Sequence, residues 1–167
     1  VAKLEGDHQA YQYLLEAIRR DGVPYDLISK SLPTVEGAVN DILSQIVDFS
    51  IIFNMDGKVI DTHIVYDDDR VWPLELSSGM ERFISSLAIR VGLINVSNLP
   101  RSNFLAIDEG WGTMDSENIN SVYSLFQYLK TQFQFTMIVS HIDSMRDAVD
   151  TLLEVKKTNT HSNIIFD

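Results

Sequence analysis

The sequence predicts an α/β fold, a parallel sheet flanked by helices and joined to a small antiparallel meander. Three observations carry that expectation. Phe104 to Ile107 and Phe135 to Val139 are continuous apolar runs separated by a stretch of helical period, as parallel strands buried on both faces and joined by a crossover helix would be. From Asp48 to Leu74 the hydrophobic period falls to two. After Gly79 it returns to the helical value.

Taken in order, Leu4, Tyr11 and Ile18 are spaced by sevens, with Leu14 on the same face. This fits either the base of a coiled coil or an ordinary amphipathic helix, and Asp7 and Asp21 at the alternate core position weaken the former. Gly22 and Pro24 end this helix. A short helical piece with Leu27 and Ile28 follows and is closed by Pro33. Thr34 then caps a helix whose stripe is Val35, Val39, Ile42, Leu43 and Ile46. Phe49, Ile51 and Phe53 alternate as a strand, Asp56-Gly57 makes a hairpin turn, and Val59 to Tyr66 returns. Asp67-Asp68-Asp69 reads as a solvated turn rather than a calcium loop, since the remaining ligand spacing and the closing Glu are missing. Val71 to Leu74 completes the meander.

The next helix turns Phe83, Ile84, Leu87, Ala88, Val91 and Ile94 inward, and Asn95 to Ser102 is a loop. Ile119, Val122, Tyr123, Phe126 and Leu129 mark the crossover helix. Ser144 to Val149 is a short helix, and Leu152 to Val155 and Asn163 to Phe166 are closing strands.

Composition narrows the function. A hydrophobic content of 45% supplies a core, and no run approaches the roughly 18 apolar residues of a membrane span. The absence of cysteine excludes disulfides and thiolate metal sites and fits a reducing compartment. A net charge of −11 argues against a phosphate-binding surface on this chain alone. The start at Val-Ala-Lys, without an initiator Met or a targeting segment, reads as an excised fragment.

Three segments carry chemistry. Ser77, Ser78 and Gly79 precede a helix, so their hydroxyls and amides can converge on an anion at its positive end. Asp108 and Glu109 end an apolar strand, where adjacent carboxylates are costly unless they serve a site. There Asp108 suits Mg²⁺ and Glu109 the attacking water. Asp115 follows seven residues after Asp108. His141 ends the neighbouring apolar strand, where a neutral imidazole can bond a phosphate or a water. His8, His63 and His161 lack such a context, and Trp111 reads as a packing wedge. A phosphate loop is missing. The Gly57-Lys58 pair lies in the hairpin turn, with Ile52 and Val59 where that motif needs Gly and Ser or Thr.

In this order and spacing the segments resemble the signature motif, the Walker B strand with its D-loop, and the switch histidine of an ABC-type ATPase head. They are most similar to the C-terminal head segment of the SMC superfamily, and within it to the SbcC-like branch of DNA double-strand-break repair. Asp108-Glu109-Gly110-Trp111-Gly112-Thr113-Met114-Asp115 looks like that branch's D-E-G-F-G-T-L-D, and Ile138 to Asp143 is similar to its I-S-H-V-E segment. The resemblance covers about residues 10 to 160 and is sharpest from 76 to 146.

The resemblance implies a split ATPase. Residues 1–22 would be the base of a coiled-coil arm and 23–167 the C-terminal head lobe, with the phosphate loop on an N-terminal lobe. Two heads would dimerise through ATP. Ser77, Ser78 and Gly79 would contact the ATP of the opposite protomer, and Asp115 would act across the dimer. Asp108 would hold Mg²⁺, Glu109 would be the catalytic carboxylate and His141 the switch. Arg82 and Arg90, on the signature helix, are candidates for coupling. Ser78 replaces a usual Gly or Ala, and Met80 a usual Gln or Glu.

The implied partners are the N-terminal lobe, a second head, an SbcD-like metal-dependent nuclease and double-stranded DNA. The implied setting is intracellular, in a nucleoid or nucleus, with no membrane. Alone, the lobe should hydrolyse almost no ATP. A chromosome-organising SMC ATPase with a kleisin partner is the alternative. An ABC transporter domain would carry its own phosphate loop, and a decayed interaction module would have lost Asp108, Glu109 and His141.

Overall fold

A computed structural model describes residues 2–19, 21–56, 59–67, 69–108 and 119–166. The chain divides into two units, Val1–Arg101 and Ser102–Asp167.

The first unit begins with helix α1 (Ala2–Ala17) and helix α2 (Val23–Leu43). Leu4, Tyr11, Leu14 and Ile18, the residues of the heptad-like face, are 54% to 73% exposed, so this chain alone does not cover that seam. Gly22 joins the helices at a point where a Cβ would lie 2.5 Å from the Ala17 carbonyl oxygen, closer than any side chain tolerates. Pro24 then sits in the first turn of α2, where a missing N–H costs nothing.

The expected break at Pro33 does not occur. α2 runs through it, and Thr34 is helix interior rather than a cap. Proline inside a helix forgoes one hydrogen bond and crowds the preceding turn, at about 3 kcal/mol. The following turns offset this by burying Val39, Ile42 and Leu43 where α2 packs on helix α3 (Gly79–Val96) and strand β1 (Ser50–Asp56). On α3, Ser85, Ala88 and Gly92 form a buried small-residue stripe, flanked by Ile84, Leu87 and Val91. A Cβ on Gly92 would stand 2.7 Å from Val39 Cγ2, so the absent side chain sets how closely the helices approach.

The meander is β1, β2 (Val59–Asp67) and β3 (Arg70–Pro73), paired antiparallel in that order. Asp56, expected in the turn with Gly57, instead ends β1 opposite Val59, and Gly57 and Lys58 lie outside the described residues. Asp68 of the acidic turn does too. Asp67 pairs with Arg70 at 2.7 Å, so this part of the turn makes an ion pair. β1 is an edge strand, and α2 caps its outer side. Asn40 accepts from Ile51 N at 2.8 Å and donates to Ile51 O at 2.9 Å, and Phe53 N donates to Glu36 Oε2 at 2.7 Å. Glu36 and Asn40, one helical turn apart, thus complete the ladder where a fourth strand would.

In the second unit, β4 (Phe104–Asp108) and β5 (Phe135–Val139) pair in parallel across helix α4 (Ile119–Gln132). Val122, Leu125, Phe126, Leu129 and Phe133 are buried. The strands are not buried on both faces as their composition suggested. Phe104, Phe135, Met137 and Val139 are 44% to 59% exposed, while Ile107 on the opposite face is 8% exposed. Phe104 and Phe135 stack with ring centroids 5.5 Å apart on the open face. A 3₁₀ segment (Asp143–Ala148) follows. The closing strands, β6 (Leu153–Lys157) and β7 (Ser162–Phe166), form their own antiparallel hairpin rather than extending the parallel pair.

Candidate functional site: the α3 N-terminus and the β4–β5 strand ends

In the first unit the segment expected to face an anion is built as a capping box. Ser78, extended at φ −64° and ψ 161°, is the N-cap of α3; its hydroxyl accepts from Glu81 N, and Glu81 Oε2 accepts from Ser78 N at 2.7 Å. Ser77 is turned away from this end. Its hydroxyl donates to Leu74 O at 2.7 Å and the residue is only 9% exposed. Of the three expected contacts, Ser78 and Gly79 therefore stand at the open end of the helix, and Ser77 braces the turn before it. Met80 is buried under the first turn at 4% exposure, which explains an apolar residue there. Arg82 ties back to Glu75 O at 3.3 Å.

Glu81 has a second anchor that the sequence did not suggest. The Tyr66 hydroxyl on β2 donates to Glu81 Oε1. The Tyr66 ring lies 5.6 Å from both Phe49 and Trp72, with the Arg70 guanidinium 5.5 Å from its centre. Burial, the hydrogen bond to Glu81 and the Glu81 charge push the Tyr66 hydroxyl up to about 12, against the pull of Arg70. Burial alone would raise Glu81, yet its bonds from Tyr66 and Ser78 hold the carboxyl below its usual 4.5.

In the second unit Asp108 ends β4 opposite Val139, the last residue of the parallel β5, and His141 follows two residues later. Both side chains are exposed. Parallel pairing in register thus delivers a carboxylate and an imidazole to the same end of one strand pair, where ligands of parallel sheets bind. Ser140 Oγ accepts from Ile142 N at 3.1 Å and shapes the turn after His141. Glu109 and Asp115, with Trp111 between them, lie outside the described residues. Among the described residues no three His, Asp or Glu side chains cluster as a metal cage. An exposed carboxylate such as Asp108 nevertheless suits a hard cation held largely by water and phosphate. Among the described residues, too, no helix is long and apolar enough to cross a membrane.

No family model matches the chain. Solved structures do. A structure from work on ATP-driven dimerization and DNA-stimulated activation of SMC ATPases superposes with a TM-score of 0.68 at 14% identity, over 84% of this chain and 88% of that one. The Smc head domain of Pyrococcus furiosus, with an extended coiled coil and bound to the C-terminal domain of ScpA, gives 0.67 at 16% identity over 98% of this chain and 42% of its own. The fold is that of the C-terminal part of an SMC ATPase head. In sequence, an uncharacterized protein of Acanthamoeba polyphaga mimivirus is 34% identical over 171 residues, 93% of this chain and 13% of its own length. The SbcC component of the nuclease SbcCD from Deinococcus radiodurans is 32% identical over 89 residues, 53% of this chain and 10% of its own length. The chain therefore spans about a tenth of the length of these curated relatives.

Proposed function

We propose that this chain is the C-terminal part of a split, ATP-hydrolysing head in a DNA double-strand-break repair or recombination machine. The observation that carries the reading is the register of β4 and β5, with Asp108 and His141 at one end of a parallel pair. ATP is the substrate and Mg²⁺ the implied ion, which supplies charge neutralisation at the phosphates when bound. Asp108 would hold it through water. His141 would bond the γ-phosphate or the attacking water, which Glu109 would orient. Ser78, Gly79 and the helix dipole would meet the γ-phosphate of ATP carried by a second head, with Asp115 acting across that dimer. The capping geometry favours Ser78 over Ser77 for this contact and supports reading Ser78-Gly79-Met80-Glu81 as the signature, with Met80 as its departure.

The exposed seam of α1 supports residues 1–22 as the base of a coiled-coil arm. The open apolar face of β4 and β5 supports docking of an N-terminal lobe carrying the phosphate loop. Head closure on ATP would gate an SbcD-like nuclease and DNA binding, a partner choice supported by the relatives from the nuclease SbcCD. A second reading, an SMC ATPase with a kleisin, is supported by the Smc heads solved with ScpA. Purification of the full-length parent from its native source, with its partner identified by mass spectrometry, separates the two. A two-metal phosphoesterase supports the nuclease gate. A kleisin would refute it.

A further inference from the structure

We propose that Tyr66 is a positioning residue for the anion-facing end of α3, acting through Glu81. The inference rests on the reading of Ser78 and Gly79 as nucleotide contacts. Glu81 is held at both oxygens, Oε1 by the Tyr66 hydroxyl and Oε2 by the Ser78 amide, and its own amide returns to Ser78 Oγ. A capping box alone fixes Ser78 to its helix and leaves the turn free to rock with it. The Tyr66 bond fastens the same carboxylate to β2, fifteen residues away in sequence. Tyr66 is itself fixed, its ring between Phe49 and Trp72 and its outer side under Arg70, which Asp67 grips through two nitrogens. The chain Asp67, Arg70, Tyr66, Glu81, Ser78 thus runs from the β2–β3 turn to the helix end without a gap. Contacts that bind an anion only at one helix terminus depend on that terminus being held within about 0.5 Å.

The test is steady-state ATPase of the full-length parent protein in its complex, comparing wild type with Tyr66→Phe, Glu81→Ala and Glu81→Gln. Tyr66→Phe keeps the ring between its neighbours and removes only the anchor. It should raise KM for ATP five- to tenfold with kcat within twofold, and lower the melting temperature by only a few degrees, so that the variant stays fully folded in the assay. Glu81→Ala should do at least as much, and adding Tyr66→Phe to it should change nothing further. Glu81→Gln can accept from Ser78 and donate to Tyr66, and should restore near-wild-type KM. An active wild type whose Tyr66→Phe variant keeps its KM overturns this proposal alone. An inactive wild type overturns the nucleotide reading and this proposal with it. Should Tyr66→Phe fail to fold, Glu81→Ala with its Glu81→Gln rescue decides in the same way.

Discussion

The edge of the meander should depend on one amide side chain. Asn40 holds both backbone groups of Ile51, whose residue is fully buried, and Asn40→Ala would orphan the pair. Each lost bond is worth about 1 kcal/mol net, and each buried group left unpaired raises its cost to about 1–3 kcal/mol. For the two groups the expected loss is therefore about 2–6 kcal/mol. At the roughly 1–3 kcal/mol per molar slope of small proteins in urea, the unfolding midpoint should fall by at least about 0.7 M with an unchanged slope. A sharper readout is amide exchange. Outward amides of an uncovered edge strand exchange fast, so in wild type Ile51 and Phe53 should be protected by Asn40 and Glu36. Asn40→Ala should expose Ile51 selectively, and Glu36→Ala should expose Phe53. A variant that unfolds within about 0.5 kcal/mol of wild type, with Ile51 still protected, would refute the claim that α2 completes this sheet.

Three further expectations concern packing and charge. Gly92→Ala must displace Val39, at about 1–3 kcal/mol for overpacking against about 1 kcal/mol gained in helix propensity, so urea melts should show a net loss of about 1 kcal/mol. Val39→Ala should cost less in that background than in wild type. Ser85→Ala removes a fully buried hydroxyl that has no hydrogen-bond partner among the described residues, and should stabilise by about 1 kcal/mol in the same assay. Glu81, its carboxyl held low, contributes stability that is present above its usual 4.5 and lost as pH falls through its lower folded value. Tyr66, raised to about 12, contributes stability that is complete below 10 and lost as pH rises through about 12. Wild type should therefore lose stability below pH 4.5 more steeply than Glu81→Gln. One tyrosine should also titrate late by ultraviolet absorbance, a signal removed by Tyr66→Phe.

Much of the fold was legible because local pattern and tertiary role agree. β5 falls on Phe135–Val139 as expected, and β1 and β2 pair as the hairpin that the alternating pattern suggested. The misses have physical causes. Pro33 sends a strong local stop signal, but the packing of α2 on α3 and β1 outweighs one lost hydrogen bond. The apolar runs of β4 and β5 show that both faces avoid water. They do not show what covers them, and in this chain one face stays open. The Ser78 to Glu81 spacing was readable as a capping box and would have separated Ser78 from Ser77. The Tyr66 anchor and the Asn40 clamp were not readable, because each joins residues whose neighbourhood exists only once the meander has paired.

The proposed split of the ATPase site is tested most directly by mixing this chain with the proposed N-terminal lobe carrying a phosphate loop and measuring ATP hydrolysis. Neither piece alone should turn over ATP. Together they should show Mg²⁺-dependent hydrolysis that Asp108→Asn and Glu109→Gln each abolish, with ATP-driven dimerisation surviving in Glu109→Gln. Undiminished turnover in either variant, or no hydrolysis from a properly assembled pair, would contradict the reading.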